Sequence, residues 1–209
     1  MFTDRRAAGK VLSQLLSAHQ VTGGIVLALP RGGVPVGDEI ATALGLPLDL
    51  MLVRKVGMPG HPEVTVTNPR VLSEIRLSPA DVERLAIPER AELMRRRNAY
   101  LGTRAAPVLT GRPVILADDG VATGATMRAA IAALRRDAPS RIIVAVPVGA
   151  ADTLAVLRRE ADEVICPEVP APFYAVGQAY ASFPQVSDDE VTAILSRHPP
   201  SLAAPSRNH

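Results

Sequence analysis

Asp118 and Asp119 stand side by side at the end of a short apolar run, Val114 to Ala117, and Gly120-Val-Ala-Thr-Gly-Ala-Thr126 follows them. Adjacent carboxylates accept hydrogen bonds from a pair of vicinal hydroxyls. The stretch after them suits an anion. Gly120, Ala122, Gly124 and Ala125 let backbone N–H groups come close, and Thr123 and Thr126 add hydroxyl donors. A helix starting there contributes its dipole and its unpaired N–H groups. Carboxylates beside a phosphate repel the ligand unless they face another part of it, and a sugar diol resolves that conflict. Phosphate in the loop with hydroxyls on the aspartates spans a ribose 5-phosphate. Neither G-x-x-x-x-G-K-S/T nor G-x-G-x-x-G occurs in the chain, so neither a P-loop nor a dinucleotide loop explains the stretch.

A second anion loop is written at Pro30-Arg-Gly-Gly33, after the apolar run Ile25 to Leu29. Gly32 and Gly33 permit close approach, and Arg31 carries a planar fork for phosphate oxygens. The run Leu48 to Val53 ends in Arg54-Lys55, two further cations. Three apolar runs thus end in Arg31, Arg54/Lys55 and Asp118/Asp119, and in an open α/β sheet such strand ends converge on one crevice. Other reactive residue types carry less. His61 and Glu63, in the turn-rich Gly57-Met-Pro-Gly-His-Pro-Glu63, are candidate acid/base groups but read as solvated loop residues. His19, His61, His198 and His209 have no ligand or triad spacing, and Cys166 lies in an apolar run as an inert thiol.

The elements that must position these groups alternate between helix and strand. Asp4 caps a helix with apolar residues at Ala8, Val11, Leu12, Leu15 and Leu16, expected to dock on the sheet. Ile25 to Leu29 is the first strand, a helix runs from about Pro35 to Leu44 with Gly45 closing it, and Leu48 to Val53 is the second strand. Ser78-Pro79 opens one helix, and another covers Pro88 to Tyr100. Val114 to Ala117 is apolar throughout, as a parallel strand buried on both faces requires, and the next helix carries the stripe Met127, Ala130, Ile131, Leu134. Ile142 to Val148, Ala151 to Glu160 and Val164 to Cys166 continue as strand, helix and strand. Ser187-Asp-Asp-Glu190 is a capping box for a last helix through Val191, Ile194 and Leu195. Phe173, Tyr174, Tyr180 and Phe183, most of the chain's aromatics, fall between that last strand and helix, where they either stack on something flat or close one end of the core.

Composition bounds the answer further. With 209 residues, 47% of them hydrophobic, the chain can bury one core. A net charge of +2 does not mark a polyanion binder, and Arg95, Arg96 and Arg97, with no interleaved aromatics, read as a solvated helix face rather than a nucleic-acid interface. One cysteine excludes a disulfide framework. No run reaches membrane-spanning length and the N-terminal residues lead into an amphipathic pattern, so a cytoplasmic protein is expected.

Val114 to Thr126 resembles the 5-phosphoribosyl 1-pyrophosphate (PRPP) signature of type I phosphoribosyltransferases: an apolar strand, two acidic residues, two variable residues, then Ala-Thr-Gly-x-Thr. Leu29-Pro-Arg-Gly-Gly-Val34 is similar to the loop that cradles pyrophosphate in that family. The run from Val53 to Glu63 places the chain closest to an uncharacterised bacterial phosphoribosyltransferase group. The resemblance implies an α/β, three-layer type I phosphoribosyltransferase-like fold with a mainly parallel sheet and a small hood/lid. It implies a single domain over 1–197, with a lid at about 55–75 and a hood at about 167–186, and a disordered tail over 198–209. It also implies transfer of the 5-phosphoribosyl group of PRPP to an acceptor, a nucleobase being one candidate, with release of pyrophosphate.

By the same resemblance Gly120, Val121, Ala122, Thr123, Gly124, Ala125 and Thr126 bind the 5-phosphate, and Arg31, Gly32, Gly33 and Lys55 bind the pyrophosphate. Lys55, Arg31, Asp118 and Asp119 form the catalytic set, and Phe173, in Pro172-Phe-Tyr-Ala-Val-Gly177, supplies a ring over the acceptor. Mg²⁺ is the cofactor, carried mainly by PRPP rather than by a protein metal site. Partners are PRPP and the acceptor, with no membrane and no nucleic acid, and a homodimer is one option for assembly. Two departures matter. Ala122 stands where 6-oxopurine enzymes carry an aspartate that acts on the base, which disfavours hypoxanthine and guanine, while Met127 matches adenine enzymes. The relatives' A-x-G-A-V-A-E-G-G segment is missing, with the shorter Val64 to Leu72 in its place. An intact PRPP site under an abbreviated lid leaves two readings, an enzyme and a PRPP-binding regulator without turnover.

Overall fold

The apolar runs pair as parallel strands, because the central ones are apolar on both faces and each is joined to the next by a crossover. The computed structural model describes residues 1–19, 21–53, 57, 58, 61–65, 95, 98–102 and 104–198. Arg54, Lys55, the helix expected from Ser78, most of the stretch from Pro88 to Tyr100 and the tail past His198 lie outside them. The strands are β1 (Ile25–Ala28), β2 (Leu48–Leu50), β3 (Gly57–Met58), β4 (His61–Thr65), β5 (Pro113–Ala117), β6 (Arg141–Ala145) and β7 (Glu163–Ile165). Five form one parallel sheet in the order β2-β1-β5-β6-β7, and β3 pairs separately with β4 in antiparallel fashion. That hairpin takes in His61 and Glu63, which the turn-rich composition had marked as loop.

Side chains alternate across the sheet, so successive strand residues feed two cores. Val26, Ala28, Ile115, Ala117, Ile143 and Ala145 meet α1 (Arg5–Leu16), α2 (Gly33–Leu44) and the last helix, α5 (Asp188–Ser196). Ile25, Leu27, Val114, Leu116, Ile142 and Val144 meet α3 (Ala125–Arg136) and α4 (Ala151–Glu160). The expected stripe Met127, Ala130, Ile131, Leu134 is the buried face of α3. Gly45 closes α2 in the left-handed conformation at φ 63°, and the Ser187 hydroxyl accepts from Glu190 N at 3.1 Å at the start of α5. These are the three-layer architecture and the parallel sheet that the sequence implies.

One helix is turned from its expected position. Asp4 caps α1 by accepting from Ala7 N at 2.8 Å, but Leu15 is 43% exposed while Gly9 and Ser13 are buried. The cause is close packing on α2, since a Cβ at Gly9 would lie 2.8 Å from both Glu39 Cβ and the Val36 carbonyl oxygen. Polar contacts fasten the same layer. The Asp38 carboxylate of α2 accepts from Arg6 Nη1 at 2.9 Å and Arg197 Nη2 at 2.7 Å, and pairs with His198 Nε2 at 2.7 Å. Burial alone would raise the Asp38 pKa, but His198, Arg6 and Arg197 together hold it below the ordinary value. Among the described residues, no helix is long and apolar enough to cross a membrane.

Candidate functional site

The chain leaves β1 toward β2 on one side and returns on the other side of β1 as β5, from which β6 and β7 continue outward. The strand order therefore reverses between β1 and β5, and a crevice opens beyond their C-terminal ends. Their register is in step, Ile25 opposite Val114 and Ala28 opposite Ala117, so the loops that follow meet. Contact between them depends on glycine. A Cβ at Gly33 would lie 2.6 Å from the Ala117 carbonyl oxygen and 2.9 Å from Asp118 Cα, and one at Gly32 would fall inside the Asp119 carboxylate. The Pro30–Arg31 bond is cis, and the N–H groups of Arg31 and Gly32 have no acceptor among the described residues. Arg31 Nη1 reaches Asp188 Oδ1 at 3.4 Å, where Tyr100 donates its hydroxyl at 2.6 Å. The Arg31 contact is long and solvent-exposed, hence of little stabilising value, and leaves the guanidinium available to an anion.

The loop after β5 is anchored on its outer side. Val121 N donates to the Val148 carbonyl at 2.9 Å, Ala150 N donates to the Val121 carbonyl at 3.0 Å, and the Thr153 hydroxyl donates to the Ala122 carbonyl at 2.6 Å. Gly120, at φ 155°, passes so close to Val176 and Val148 that a Cβ would lie 2.5 and 2.8 Å from their methyl groups. Gly124, at φ 71°, turns the chain into α3. The inner side is left open. Ala122, Thr123, Gly124, Ala125 and Thr126 have N–H groups without an acceptor, and Thr123 and Thr126 have exposed hydroxyls without a partner, among the described residues. No acidic residue occupies the first turn of α3, so its positive end carries no counter-charge. Val121 differs from its neighbours, because its N–H is used by Val148 and its side chain is buried.

The two aspartates have different surroundings. Asp118 Oδ1 accepts from Asp119 N at 2.9 Å, and burial, reinforced by the neighbouring Asp119 carboxylate, pushes the Asp118 pKa well above the ordinary value. Asp119 Oδ2 accepts from Arg5 Nε at 2.7 Å, and its backbone carbonyl accepts from the Tyr180 hydroxyl at 2.5 Å. Burial, then Asp119, raises the Tyr180 pKa, so the phenol remains a donor. Both partners of the Arg5–Asp119 pair are largely buried, and breaking such a pair from one side costs about 3–5 kcal/mol. Arg5 was not among the residues expected here. The only local sign is a cation in the first turn of a helix, against the dipole.

Phe173 is half-buried and, like Val176, packs against a small apolar cluster of Phe2, Ala8, Val148, Ala179 and Tyr180; Val176 also lies over Gly120. Its neighbour Tyr174 is 82% exposed. Lys55 lies outside the described residues. The Cys166 thiol donates to the Glu168 carbonyl at 3.3 Å, and burial pushes its pKa up to about 11, so it is not a thiolate at neutral pH. Among the described residues no three His, Cys, Asp or Glu side chains gather as a metal cage. Two adjacent carboxylates are nevertheless hard oxygen donors of the kind that suit Mg²⁺ when the ion brings phosphate oxygens and waters of its own.

Two glycine loops thus flank paired carboxylates at the switch point of an open parallel sheet, with N–H groups on one side and carboxylate oxygens on the other. Residues 4–181 match the family described as phosphoribosyl transferase domain, and the chain belongs to that family. Two Mycobacterium tuberculosis proteins, of strains CDC 1551 and H37Rv, each bear the name "Putative phosphoribosyl transferase" and are 42% identical over 207 residues, 94% of this chain and 47% of each relative. The chain spans about half the length of these curated relatives. The crystal structure of TT1426 from Thermus thermophilus is 41% identical, with a TM-score of 0.87 over 95% of this chain and 99% of that one. The AQ2163 protein from Aquifex aeolicus, 11% identical with a TM-score of 0.51 over 79% of this chain and 74% of that one, shares the fold.

Proposed function

We propose that the chain binds Mg²⁺-PRPP and transfers its 5-phosphoribosyl group to an acceptor, releasing pyrophosphate. The observation that carries this reading is the set of N–H groups from Ala122 to Thr126, with the Thr123 and Thr126 hydroxyls, open at the start of α3 directly beyond the Asp118–Asp119 pair. That loop takes the 5-phosphate. Asp118 and Asp119 take the ribose hydroxyls, and Arg31, Gly32 and Gly33, with Lys55, take the pyrophosphate. Displacement at the anomeric carbon passes through an oxocarbenium-like state, so positioning and charge do the work and no covalent nucleophile is required. The carboxylates favour positive charge on the ring, while Arg31 and Lys55 neutralise the departing pyrophosphate. Bound Mg²⁺ supplies further neutralisation of those phosphate oxygens. Phe173 belongs on the acceptor side, since Val148 and Val176 of its cluster adjoin Gly120.

The shortened sequence from Val64 to Leu72 favours one alternative, a PRPP-binding regulator, because lid closure excludes water during transfer whereas binding alone does not need it. Turnover separates the two. Incubation with Mg²⁺-PRPP and a panel of purines, pyrimidines and small amines is expected to give acceptor-dependent pyrophosphate release and a phosphoribosyl product. Release should fall about 100-fold or more in Lys55→Ala, the order lost when a transition-state cation is removed. Tight PRPP binding with no turnover across the panel would establish the regulator instead.

A further inference from the structure

We infer that Arg5, in the first turn of α1, is a positioning residue that holds Asp119 for the sugar hydroxyls, locked in turn by an aromatic clamp of Phe183 and Tyr180. The inference rests on the PRPP reading above. Arg5 is only 9% exposed, an unusual place for a long cation so early in a helix. Two of its nitrogens and one face of its guanidinium have partners. Nε donates to Asp119 Oδ2 at 2.7 Å, Nη1 donates to the Pro184 carbonyl at 2.6 Å, and Cζ lies 3.8 Å above the centroid of the Phe183 ring. Phe183 stacks on Tyr180 with centroids 4.8 Å apart and planes 25° apart, and the Tyr180 hydroxyl reaches back to the Asp119 carbonyl. Asp119 is therefore gripped at both its side chain and its backbone by two segments remote in sequence.

Only one oxygen of the carboxylate is used by Arg5. A planar fork could engage both oxygens of a carboxylate, but Nη1 is turned to Pro184 instead, so Oδ1 remains for a hydroxyl. Gly32 approaches the same carboxylate so closely that a Cβ there would lie 2.0 Å from Oδ2, the oxygen that Arg5 holds. The Arg5 charge also offsets the mutual repulsion of Asp118 and Asp119, which lets two carboxylates share one end of an anionic ligand. A plain structural staple between α1 and residues 180–184 would need the Pro184 and Phe183 contacts but not the one to Asp119.

A double-mutant cycle on Mg²⁺-PRPP affinity, measured by calorimetry, decides between positioning and stapling. Arg5→Gln is expected to weaken binding about 10-fold, the order of one charge-assisted hydrogen bond, and Asp119→Asn to weaken it comparably. The double variant should be no weaker than Asp119→Asn alone, because Arg5 acts through that carboxylate. If Arg5→Gln does not fold, Arg5→Lys, which keeps the charge and loses the fork, takes its place in the cycle with the same coupling expected. Unchanged affinity in the folded Arg5 variant, or losses that simply add in the double variant, would overturn the positioning role. Failure of the wild-type chain to bind Mg²⁺-PRPP would be a different result, removing the PRPP reading itself.

Discussion

Gly32→Ala is expected to lower stability by about 3 kcal/mol, the upper end for overpacking a rigid site, and to remove most of the Mg²⁺-PRPP affinity. The backbone is not the reason. Gly32 has φ −60° and ψ −35°, angles open to any residue. The obstacle is the Asp119 carboxylate, which occupies the space of the new methyl group and is held there by Arg5. The side chain is short and cannot fold away, so either the loop after β1 retreats from β5 or Asp119 leaves its arginine. Both movements damage the proposed site. Urea unfolding gives the stability and calorimetry the affinity, and a relieving second change tests the cause. Adding Asp119→Ala to Gly32→Ala should cost little further stability, whereas in the wild-type background it breaks a buried pair. Equal penalties in both backgrounds would mean that the methyl group acts elsewhere.

Asp118→Asn is expected to move stability and affinity in opposite directions. Burial and Asp119 raise the folded-state pKa of Asp118 above its unfolded value. The protonated acid is therefore the form that the fold prefers. Its contribution is fully present below the unfolded pKa and is lost as pH rises through the folded pKa. Above the unfolded pKa the wild-type chain therefore bears the cost of an acid whose charged form is disfavoured by burial and by the neighbouring Asp119 carboxylate. Asparagine mimics the protonated acid and can still accept from Asp119 N, so the melting temperature should rise at neutral pH, with the gain shrinking as pH falls toward the ordinary carboxylate pKa. Mg²⁺-PRPP affinity should drop about 10-fold, because the neutral amide gives weaker hydrogen bonds to hydroxyls than a carboxylate does. A lower melting temperature at neutral pH would contradict this account of the pair.

Much of this architecture was legible because it is local. The Asp4 cap, the α3 stripe from Met127 to Leu134, Gly45 and the Ser187 cap each depend on residues within one or two turns and take the expected place, although of the expected Ser187–Glu190 box only the Ser187 half forms. The glycine loops could be read because their composition departs from that of the apolar runs before them. Contacts made at long range could not. Arg5 and Asp119 are 114 positions apart, and no spacing rule links them. Nor does periodicity register that Gly9 lets α1 press onto α2, which is why Leu15 turns outward and Ser13 inward. Gly32 is legible as a glycine that permits close approach to an anion, yet its tightest neighbour is Asp119, a residue of the other loop. The β3–β4 hairpin was concealed by turn-forming residues in its own sequence.

Whether the open side of the loop from Gly120 to Thr126 holds the 5-phosphate of PRPP is answered by calorimetric titration of Mg²⁺-PRPP into the wild-type chain and Thr123→Val/Thr126→Val. Both hydroxyls are exposed and without a partner among the described residues, so the double variant should melt as the wild-type chain does. Its affinity should fall about 100-fold or more, the order expected when two hydrogen bonds to a charged group are lost. Equal affinity in the folded double variant, or no binding by the wild-type chain, would contradict the assignment.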